Sequence, residues 1–284
     1  MLVEKRPGWA IDEISCLAAT LYVALFSSYR EHTRSFRGSN PTWLKAPKDL
    51  KERIRQSRSA VETGFLAAID RVASLYDAPT RNVLGASPGE IRLADATRIV
   101  PSAQVDCVLT SPPSCTRIDY TAATRIELAV VDALLKVDTV ELNRSMIGTT
   151  KVPTRDVERN DAWGTTCLSF LDDVQAHKSK ASGGYYLRTH LDYFDKMHRS
   201  MVNMTGALKD EGYAIMILQD SYYKDVHNDV PKVISEMAHS CGLALEQRAD
   251  FRSPNCMSRI NPRAPSRSLR TGAVESVLVF RKAN

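Results

Sequence analysis

The sequence predicts an α/β fold, with a helical N-terminal region ahead of a sheet flanked by helices. The C-terminal two thirds of the chain alternate short apolar runs, typical of buried strands, with longer segments of helix formers. This alternation favours a largely parallel sheet, because parallel strands are joined through helical crossovers. Residues 1–76 contain long helical segments and no clear strand, so this part is expected to differ in architecture.

The N-terminal third is predicted to be mainly helical. Residues 9–33 hold helix formers and apolar residues throughout, which predicts one long helix. Residues 34–58 are basic and turn-rich, because Asn40-Pro41 and Ala46-Pro47 are helix breakers. The charged end of this stretch runs into a second predicted helix at residues 61–76.

The remaining elements follow in order along the chain. Residues 140–161 are predicted to be a polar excursion, and Gly242 is expected to end the last helix. The strands are predicted at residues 91–96 (short, ending in a polar turn), 105–110, 212–220, 243–251 and 274–282, and the helices at residues 123–137, 165–178, 185–206 and 230–242.

Composition and cysteine spacing indicate the cellular compartment and whether a metal site is expected. The net charge of +5 on 284 residues is only mildly basic. The six cysteines form no CxxC pair and no zinc-spaced Cys/His cluster, so no metal site is predicted and free thiols in a reducing cytosol fit best. The apolar run at residues 16–26 is too short to span a bilayer, and no signal peptide is recognisable. We therefore expect a cytoplasmic protein without a membrane segment.

Two consecutive prolines follow the buried strand predicted at residues 105–110. Pro112 and Pro113 have no N–H group and fix φ near −65°, and Ser111 is pushed into an extended conformation. The result is a rigid corner at the carboxyl end of a strand, where open α/β sheets bind ligands. Its carbonyl groups can accept hydrogen bonds from a substrate amino group. An ordinary strand-to-loop turn is the alternative, and this short motif alone does not decide between the two.

Several motifs, in this order, resemble the amino-methyltransferases, which methylate the exocyclic nitrogen of cytosine or adenine in DNA. The stretch TSPPS at residues 110–114 resembles the catalytic motif of that family, which is Asp, Asn or Ser followed by Pro-Pro and an aromatic residue. Its Ser-Pro-Pro form is closer to the cytosine-N4 branch. LKDEGYAIMILQDSYY at residues 208–223 and ESVLVFRK at residues 275–282 resemble later strands of the family.

The resemblance covers roughly residues 90–284 and implies the catalytic region of a Rossmann-like class I methyltransferase. It also implies S-adenosylmethionine as the cofactor and DNA as a partner. Residues 1–89 would then form a helical N-terminal region that docks a partner or contacts DNA. A site-specific enzyme of this kind would belong to restriction–modification or to phage defence.

The resemblance also assigns roles to single residues. The Ser111 hydroxyl and the Pro112 carbonyl would accept hydrogen bonds from the amino group of a base that has left the DNA stack. The catalytic motif as a whole comprises Ser111, Pro112, Pro113 and Ser114. Ser114 stands where the family has an aromatic residue, and its side chain cannot stack on the base. Tyr120, six residues further on, is the candidate substitute.

Cofactor and substrate contacts are assigned on either side of the corner. By resemblance, Asp95 contacts the adenine amino group of the cofactor, although a turn or helix N-cap explains this residue nearly as well. Thr110 is placed with it on the cofactor side. Arg117 and Asp119 either pair with each other structurally or contact the target base.

The chain departs from the family in lacking a Gly-rich turn for S-adenosylmethionine. It has 13 glycines, and no two of them stand in G-x-G spacing. Two hypotheses follow. Either a second methyltransferase subunit carries the glycine loop and the active enzyme is a heterodimer, or the chain is a non-catalytic relative that only binds DNA or RNA. The retained Ser111-Pro112-Pro113 motif favours the first hypothesis.

A basic stretch between the last two predicted strands is the candidate DNA contact. Residues 251–272 hold five arginines and no acidic residue, which suits phosphate contacts and guanine recognition. A solvated flexible loop is the alternative explanation. The arginines are Arg252, Arg259, Arg263, Arg267 and Arg270.

Overall fold

The computed structural model describes most of the chain and divides it into two units. The described residues are 15–36, 45, 47–77, 92, 94–98, 103–115, 119–135, 138–151, 155–253 and 273–283. The first unit comprises Met1–Ile91 and Asp119–Asn143, and the second comprises Arg92–Ile118 and Arg144–Asn284. The boundary at residue 89 between an N-terminal region and a catalytic region remains a prediction.

The first unit is helical, as the sequence predicts. Helix α1 packs against α2 and α4. It begins at an N-cap, Ser15, whose side chain accepts a hydrogen bond from the Ala18 N–H. Near its other end, Arg30 forms an ion pair with Glu127 of α4 and donates to the Ala123 carbonyl at 3.1 Å. The helices of this region are α1 (Cys16–His32), α2 (Arg58–Asp77), α3 (Tyr120–Ala123), α4 (Arg125–Leu135) and α5 (Thr139–Ser145).

The second unit is built on a four-stranded mixed sheet with the order β1-β2-β6-β5. Its strands are β1 (Val105–Thr110), β2 (Leu208–Gln219), β5 (Leu243–Ser253) and β6 (Ala273–Lys282). The α/β class is confirmed, but the sheet is not largely parallel. Among its described strands, only β1 and β2 are parallel, whereas β6 runs antiparallel to both β2 and β5. Alternation of strands and helices along the sequence does not determine strand direction once two neighbouring strands connect without a helix.

Helices α6 (Thr165–Ala176), α7 (Leu187–Ala207) and α8 (Val230–Ser240) contribute the apolar core together with one face of the sheet. Side chains of strand β2 alternate between the two faces of the sheet. Ala214, Met216 and Leu218 are buried on the core side, while the residues between them are partly or fully exposed. Helix α8 ends before Gly242, which has φ +86°. The predicted end of this helix is therefore confirmed.

Strand β1 is less buried than its composition predicts. Leu109 is 70% exposed and Val105 is 39% exposed, and Cys107 is exposed as well. Only Val108 packs against the core. The expectation of a buried strand is therefore wrong. Within the described sheet, β1 is an edge strand.

Two elements were not anticipated. The predicted polar excursion contains helix α5, and the segment after β2 folds into a hairpin of β3 (Ser221–Tyr223) and β4 (Val226–Asn228). Of the short strand predicted at residues 91–96, two residues lie outside the described part, and residues 96–98 form a turn. In the ranges that the structure covers, no helix is long and apolar enough to cross a membrane.

Candidate active site

The double-proline corner lies at the carboxyl end of β1, where the sequence predicts it. Because β1 and β2 pair in parallel with Thr110 opposite Met216, Ser111 lies beside the next residue of β2, Ile217. The Ser111 hydroxyl donates to the Ile217 carbonyl at 3.3 Å. With its proton engaged there, the Ser111 oxygen keeps its lone pairs available to accept a hydrogen bond.

Helix α7 stabilises the corner through a hydrogen bond from Tyr193. The Tyr193 hydroxyl donates to the Pro113 carbonyl at 3.1 Å, and Tyr193 is buried. This bond directs the Pro113 carbonyl towards the core. Of the two proline carbonyls, that of Pro112 is therefore the better candidate acceptor for a substrate, as the family resemblance implies.

A glycine turn packs directly on the corner. Gly148 is buried with φ +78°, and a Cβ atom added there would lie 2.5 Å from the Ser114 carbonyl oxygen. No side chain other than hydrogen fits that space, and the left-handed φ also favours glycine. The position of residue 148 therefore constrains the position of residue 114.

A buried lysine fixes the segment that leads into this turn. Lys196 donates to the Arg144 carbonyl at 2.5 Å and to the Met146 carbonyl at 3.2 Å. It also pairs with Asp192 at 2.7 Å, and both side chains are almost fully buried. Burial raises the pKa of Asp192 above its ordinary value, although the Lys196 ammonium acts in the opposite direction. Helix α7 thus holds the corner through Tyr193 and the neighbouring loop through Lys196.

A pocket of about 120 Å³ opens at the corner. Its polar rim includes Gln219 at the end of β2 and Glu275 on β6, which are opposite each other in the sheet register. This volume is well below the roughly 300–1,000 Å³ of typical small-molecule sites. The lining residues are Ser111, Pro112, Pro113, Ser114, Cys115, Tyr193, Ile217, Leu218, Gln219, Val230 and Glu275.

Among the lining residues with polar side chains, sequence reasoning missed Tyr193, Gln219 and Glu275. Gln219 carries a usable signal, because it ends a predicted strand adjacent to β1, at the same edge of the sheet as the corner. No sequence signal identifies Tyr193 or Glu275, because their positions near the corner depend on helix packing and on the antiparallel register of β6.

Cys115 lines the pocket but is itself buried. The Asn228 amide lies 3.6 Å from its sulfur and 3.0 Å from the Ser221 hydroxyl.

The residues that the family resemblance assigns to the cofactor are Asp95 and Thr110. Asp95 accepts hydrogen bonds from the Thr97 N–H at 2.9 Å and the Thr97 hydroxyl at 2.7 Å, and it pairs with Arg98 at 3.3 Å. Partial burial raises the pKa of Asp95, but the Thr97 and Arg98 interactions outweigh it, so the pKa stays below its usual value. These contacts are those of a turn residue, and they leave an ionised carboxylate that is still partly exposed. Thr110 is the last residue of β1.

Of the residues assigned to substrate binding, the structure describes Asp119, Tyr120 and Arg252. Asp119 is the N-cap of α3 and accepts hydrogen bonds from the Ala122 N–H and the Asn143 amide at 3.0 Å and 2.8 Å. Tyr120 is the first residue of that helix and is partly buried. Arg252 is exposed near the end of β5. The other arginine candidates, Arg117, Arg259, Arg263, Arg267 and Arg270, lie outside the described residues. A search of the described side chains finds no cluster of three or more His, Cys, Asp or Glu that could hold a metal ion.

Two curated proteins are similar to part of this chain. The chain is similar to the Type II methyltransferase M.AvaI of Nostoc sp. (strain PCC 7120) and to that of Anabaena variabilis, each 24% identical over 169 residues. The matched region covers 54% of this chain and 34% of each relative, so the chain spans about a third of the length of these curated relatives. No family model and no solved structure matches. The similarity supports a relationship to methyltransferases.

Proposed function

We propose that this chain is the subunit of a site-specific DNA methyltransferase that holds the target amino group, namely the N4 amino group of cytosine. The observation that carries this proposal is the Ser111-Pro112-Pro113 corner at the carboxyl end of β1, open to a pocket, with the Ser111 proton engaged by Ile217. The similarity to Type II methyltransferases supports it independently.

The corner is suited to an amino group attached to a base ring. Such a nitrogen is a poor nucleophile, since its lone pair is conjugated with the ring. The Ser111 oxygen and the Pro112 carbonyl accept its two N–H groups and hold it so that the lone pair turns towards a methyl donor. The rigid prolines keep these acceptors in place, which lowers the entropic cost of orienting the amino group.

The target base must leave the DNA stack to reach this pocket. Unstacking costs a few kcal/mol, and the protein offsets that cost through contacts with the base and with the phosphates. Arg252 and the arginines that follow it in sequence supply cations for the phosphates. Ser114, at the position where an aromatic residue would stack, offers no such compensation.

The described residues do not complete a site for S-adenosylmethionine. The pocket is small, and the sequence holds no G-x-G turn. Asp95 is the one acidic candidate for the cofactor, and Thr97 and Arg98 already engage it. The methyl donor is therefore assigned to a partner subunit that carries the Gly-rich loop.

The test is calorimetric binding of S-adenosylmethionine to this chain alone and to the chain co-expressed with the polypeptide encoded beside it. We expect binding only with the partner. The complex should then produce N4-methylcytosine in DNA, measured by mass spectrometry of the digested nucleosides. Binding by the chain alone would contradict the assignment of the donor site to a partner.

A matched pair of variants tests the corner itself. Ser111→Ala removes the acceptor hydroxyl and is expected to lower the methylation rate by about 100-fold, within the range measured for single polar groups at reacting centres. Ser235→Ala is the control, because that hydroxyl also donates to a backbone carbonyl, at 2.8 Å from the Pro231 oxygen, but lies in α8. Equal methylation by both variants would refute a role for Ser111.

The second candidate is a non-catalytic DNA- or RNA-binding protein on a methyltransferase fold. Ser114 at the aromatic position and the missing G-x-G turn favour it. In that case, neither the chain nor its complex would bind S-adenosylmethionine, while binding of nucleic acid would persist and weaken as salt increases.

A further inference from the structure

The corner itself presents hydrogen-bond acceptors to the pocket and few donors. Pro112 and Pro113 have no N–H group, and the Ser111 hydroxyl donates to the Ile217 carbonyl. The Tyr193 hydroxyl donates to the Pro113 carbonyl. Acceptors of this kind suit an amino group, which brings two N–H groups of its own. A part of the substrate that itself needs a donor must find that donor elsewhere in the pocket.

Gln219 supplies such a donor. Of the described residues that line the pocket, it is the one whose side chain carries N–H groups, two of them on a single amide. It is the last residue of β2, the strand that pairs with β1, and it is partly buried. Its place at the carboxyl end of β2 puts it at the same edge of the sheet as Ser111. All of the lining residues belong to the second unit.

Glu275 favours one orientation of this amide. It lines the same pocket and lies directly opposite Gln219 in the antiparallel register of β2 and β6. Opposite residues share one face of the sheet, with Cβ atoms about 4.5–5.5 Å apart. A carboxylate only accepts hydrogen bonds, so it attracts the NH₂ end of an amide and repels the amide oxygen. One N–H of Gln219 then points towards Glu275, and the second is left for a ligand.

The two strand ends that carry these side chains are held together. The Asp220 N–H donates to the Val274 carbonyl at 3.2 Å, and the Val274 N–H donates to the Asp220 carboxylate at 3.1 Å. The same carboxylate lies 3.2 Å from the Nε2 atom of His227. These bonds are one residue beyond Gln219 and Glu275, so they limit backbone movement at both positions. A fixed backbone lowers the entropic cost of placing the amide against a base.

A cytosine in this pocket needs a donor beside its amino group. The ring nitrogen N3 is bonded to the carbon that carries the amino group, and in duplex DNA it accepts a hydrogen bond from guanine. That bond is lost when the base leaves the stack, and a buried acceptor without a donor is costly. Thymine carries an N–H at the same ring position, so a donor placed there also opposes thymine.

We propose that Gln219 reads the ring of the target base, its amide donating a hydrogen bond to N3 of cytosine, and that Glu275 orients the amide for this contact. The inference rests on the proposed function, which places the amino group of cytosine at Ser111 and Pro112. It adds a specificity-determining residue that lies outside the Ser-Pro-Pro motif.

The first test is a matched pair of variants of the chain in complex with the polypeptide encoded beside it. Gln219→Met removes the donor and keeps the length of the side chain. We expect it to lower kcat/KM for cytosine methylation by about 5- to 150-fold, as for other groups whose loss leaves a buried acceptor unpaired. Gln247→Met is the control, because Gln247 is exposed on β5 and does not line the pocket. Equal rates of the two variants would overturn the proposal.

A double-mutant cycle with the substrate tests the contact itself. The target cytosine is replaced by 3-deazacytosine, which has a C–H group in place of N3. Gln219→Met should then cause little or no further loss, because the contact is already absent. A variant that loses the same factor on both substrates acts on the fold of the site and not on N3. The same coupling shown by Ser114→Ala in place of Gln219→Met would assign the donor to the Ser114 hydroxyl and overturn the role of Gln219.

Glu275→Gln tests the orienting role. This change keeps the shape of the side chain but removes the carboxylate, so the Gln219 amide can turn its oxygen towards the base. We expect a loss of rate on cytosine that disappears on 3-deazacytosine, as for Gln219→Met. Equal losses on the two substrates would show that Glu275 does not act through this contact.

The outcomes separate this inference from the proposed function. Methylation of cytosine that is equally fast with Gln219→Met would support the function and overturn the inference. If the complex methylates nothing, the function is refuted, and its binding to duplexes with cytosine or 3-deazacytosine opposite an abasic site decides the inference by fluorescence anisotropy. Tighter binding of cytosine that Gln219→Met abolishes would support the contact, and equal binding of the two duplexes would overturn it.

Discussion

Gly148→Ala is the perturbation whose consequences can be worked out most fully. An alanine at φ +78° occupies the left-handed region, which costs about 1–2 kcal/mol for an L-residue. Its Cβ would also lie 2.5 Å from the Ser114 carbonyl oxygen, so backbone must move. Forcing atoms into a filled site typically costs about 1–3 kcal/mol. The combined loss in the free energy of unfolding is therefore about 2–5 kcal/mol.

Gly242→Ala separates the two contributions. Gly242 has φ +86°, but a Cβ atom there would meet nothing within 4 Å. This variant therefore carries the cost of the left-handed backbone without the clash, and it should lose about 1–2 kcal/mol. Both substitutions restrict the unfolded chain to the same degree, so that effect cancels in the comparison.

Urea denaturation followed by fluorescence measures both variants, since Trp163 is buried in the second unit. We expect Gly148→Ala to be less stable than Gly242→Ala by about 1–3 kcal/mol. We also expect only Gly148→Ala to impair methylation, because only that change displaces the Ser114 corner. A difference in stability below about 0.5 kcal/mol would refute the inference that residue 148 constrains the corner.

Further predictions concern the groups that hold the corner. Lys196→Met should lower the free energy of unfolding by about 3–5 kcal/mol, because Asp192 is left buried without its cation, and adding Asp192→Leu should recover most of the loss in urea titrations. Tyr193→Phe should cost about 1–3 kcal/mol by leaving the Pro113 carbonyl without its donor, and an unchanged urea midpoint would argue against that bond. Burial raises the pKa of Asp192 above 3.8, so the folded chain binds this proton more tightly than the unfolded chain does. The Asp192 contribution to stability should therefore be greatest below pH 3.8 and should fall as pH rises through the raised pKa, a slope that Asp192→Asn removes in stability measurements across that range. Ser114→Tyr should improve methylation by about 5- to 150-fold if stacking limits activity, and an unchanged rate would exclude Ser114 as the weak point.

Periodicity alone was sufficient to predict most elements of the fold. The helices around residues 16–32, 165–176 and 187–207 lie within two or three residues of their predicted positions at the ends that the structure describes. The direction of β6 was not predictable, because the same alternating apolar pattern serves a parallel or an antiparallel strand. The β3–β4 hairpin was missed since its strands are only three residues long and carry no Asn-Gly or Asp-Gly turn signal.

The part of the site that could be predicted from sequence is the short Ser111-Pro112-Pro113 motif. Ser111, Pro112 and Pro113 are adjacent in sequence, and their strand ends at them, so their location followed from local rules. Tyr193 and Gly148 reach the corner from 80 and 34 residues further along the chain. Contacts of that kind depend on how helices pack, which a single sequence does not specify.

The one error in predicted burial and the missing glycine loop have a common explanation. VDCVLT has the composition of a core strand, yet in this chain Leu109 and Cys107 are exposed. Exposed apolar strands are prone to aggregation, so their composition has a physical reason when a partner covers them. The proposed partner subunit would account for this exposure if it covers Leu109 and Cys107, and the same subunit would carry the cofactor loop.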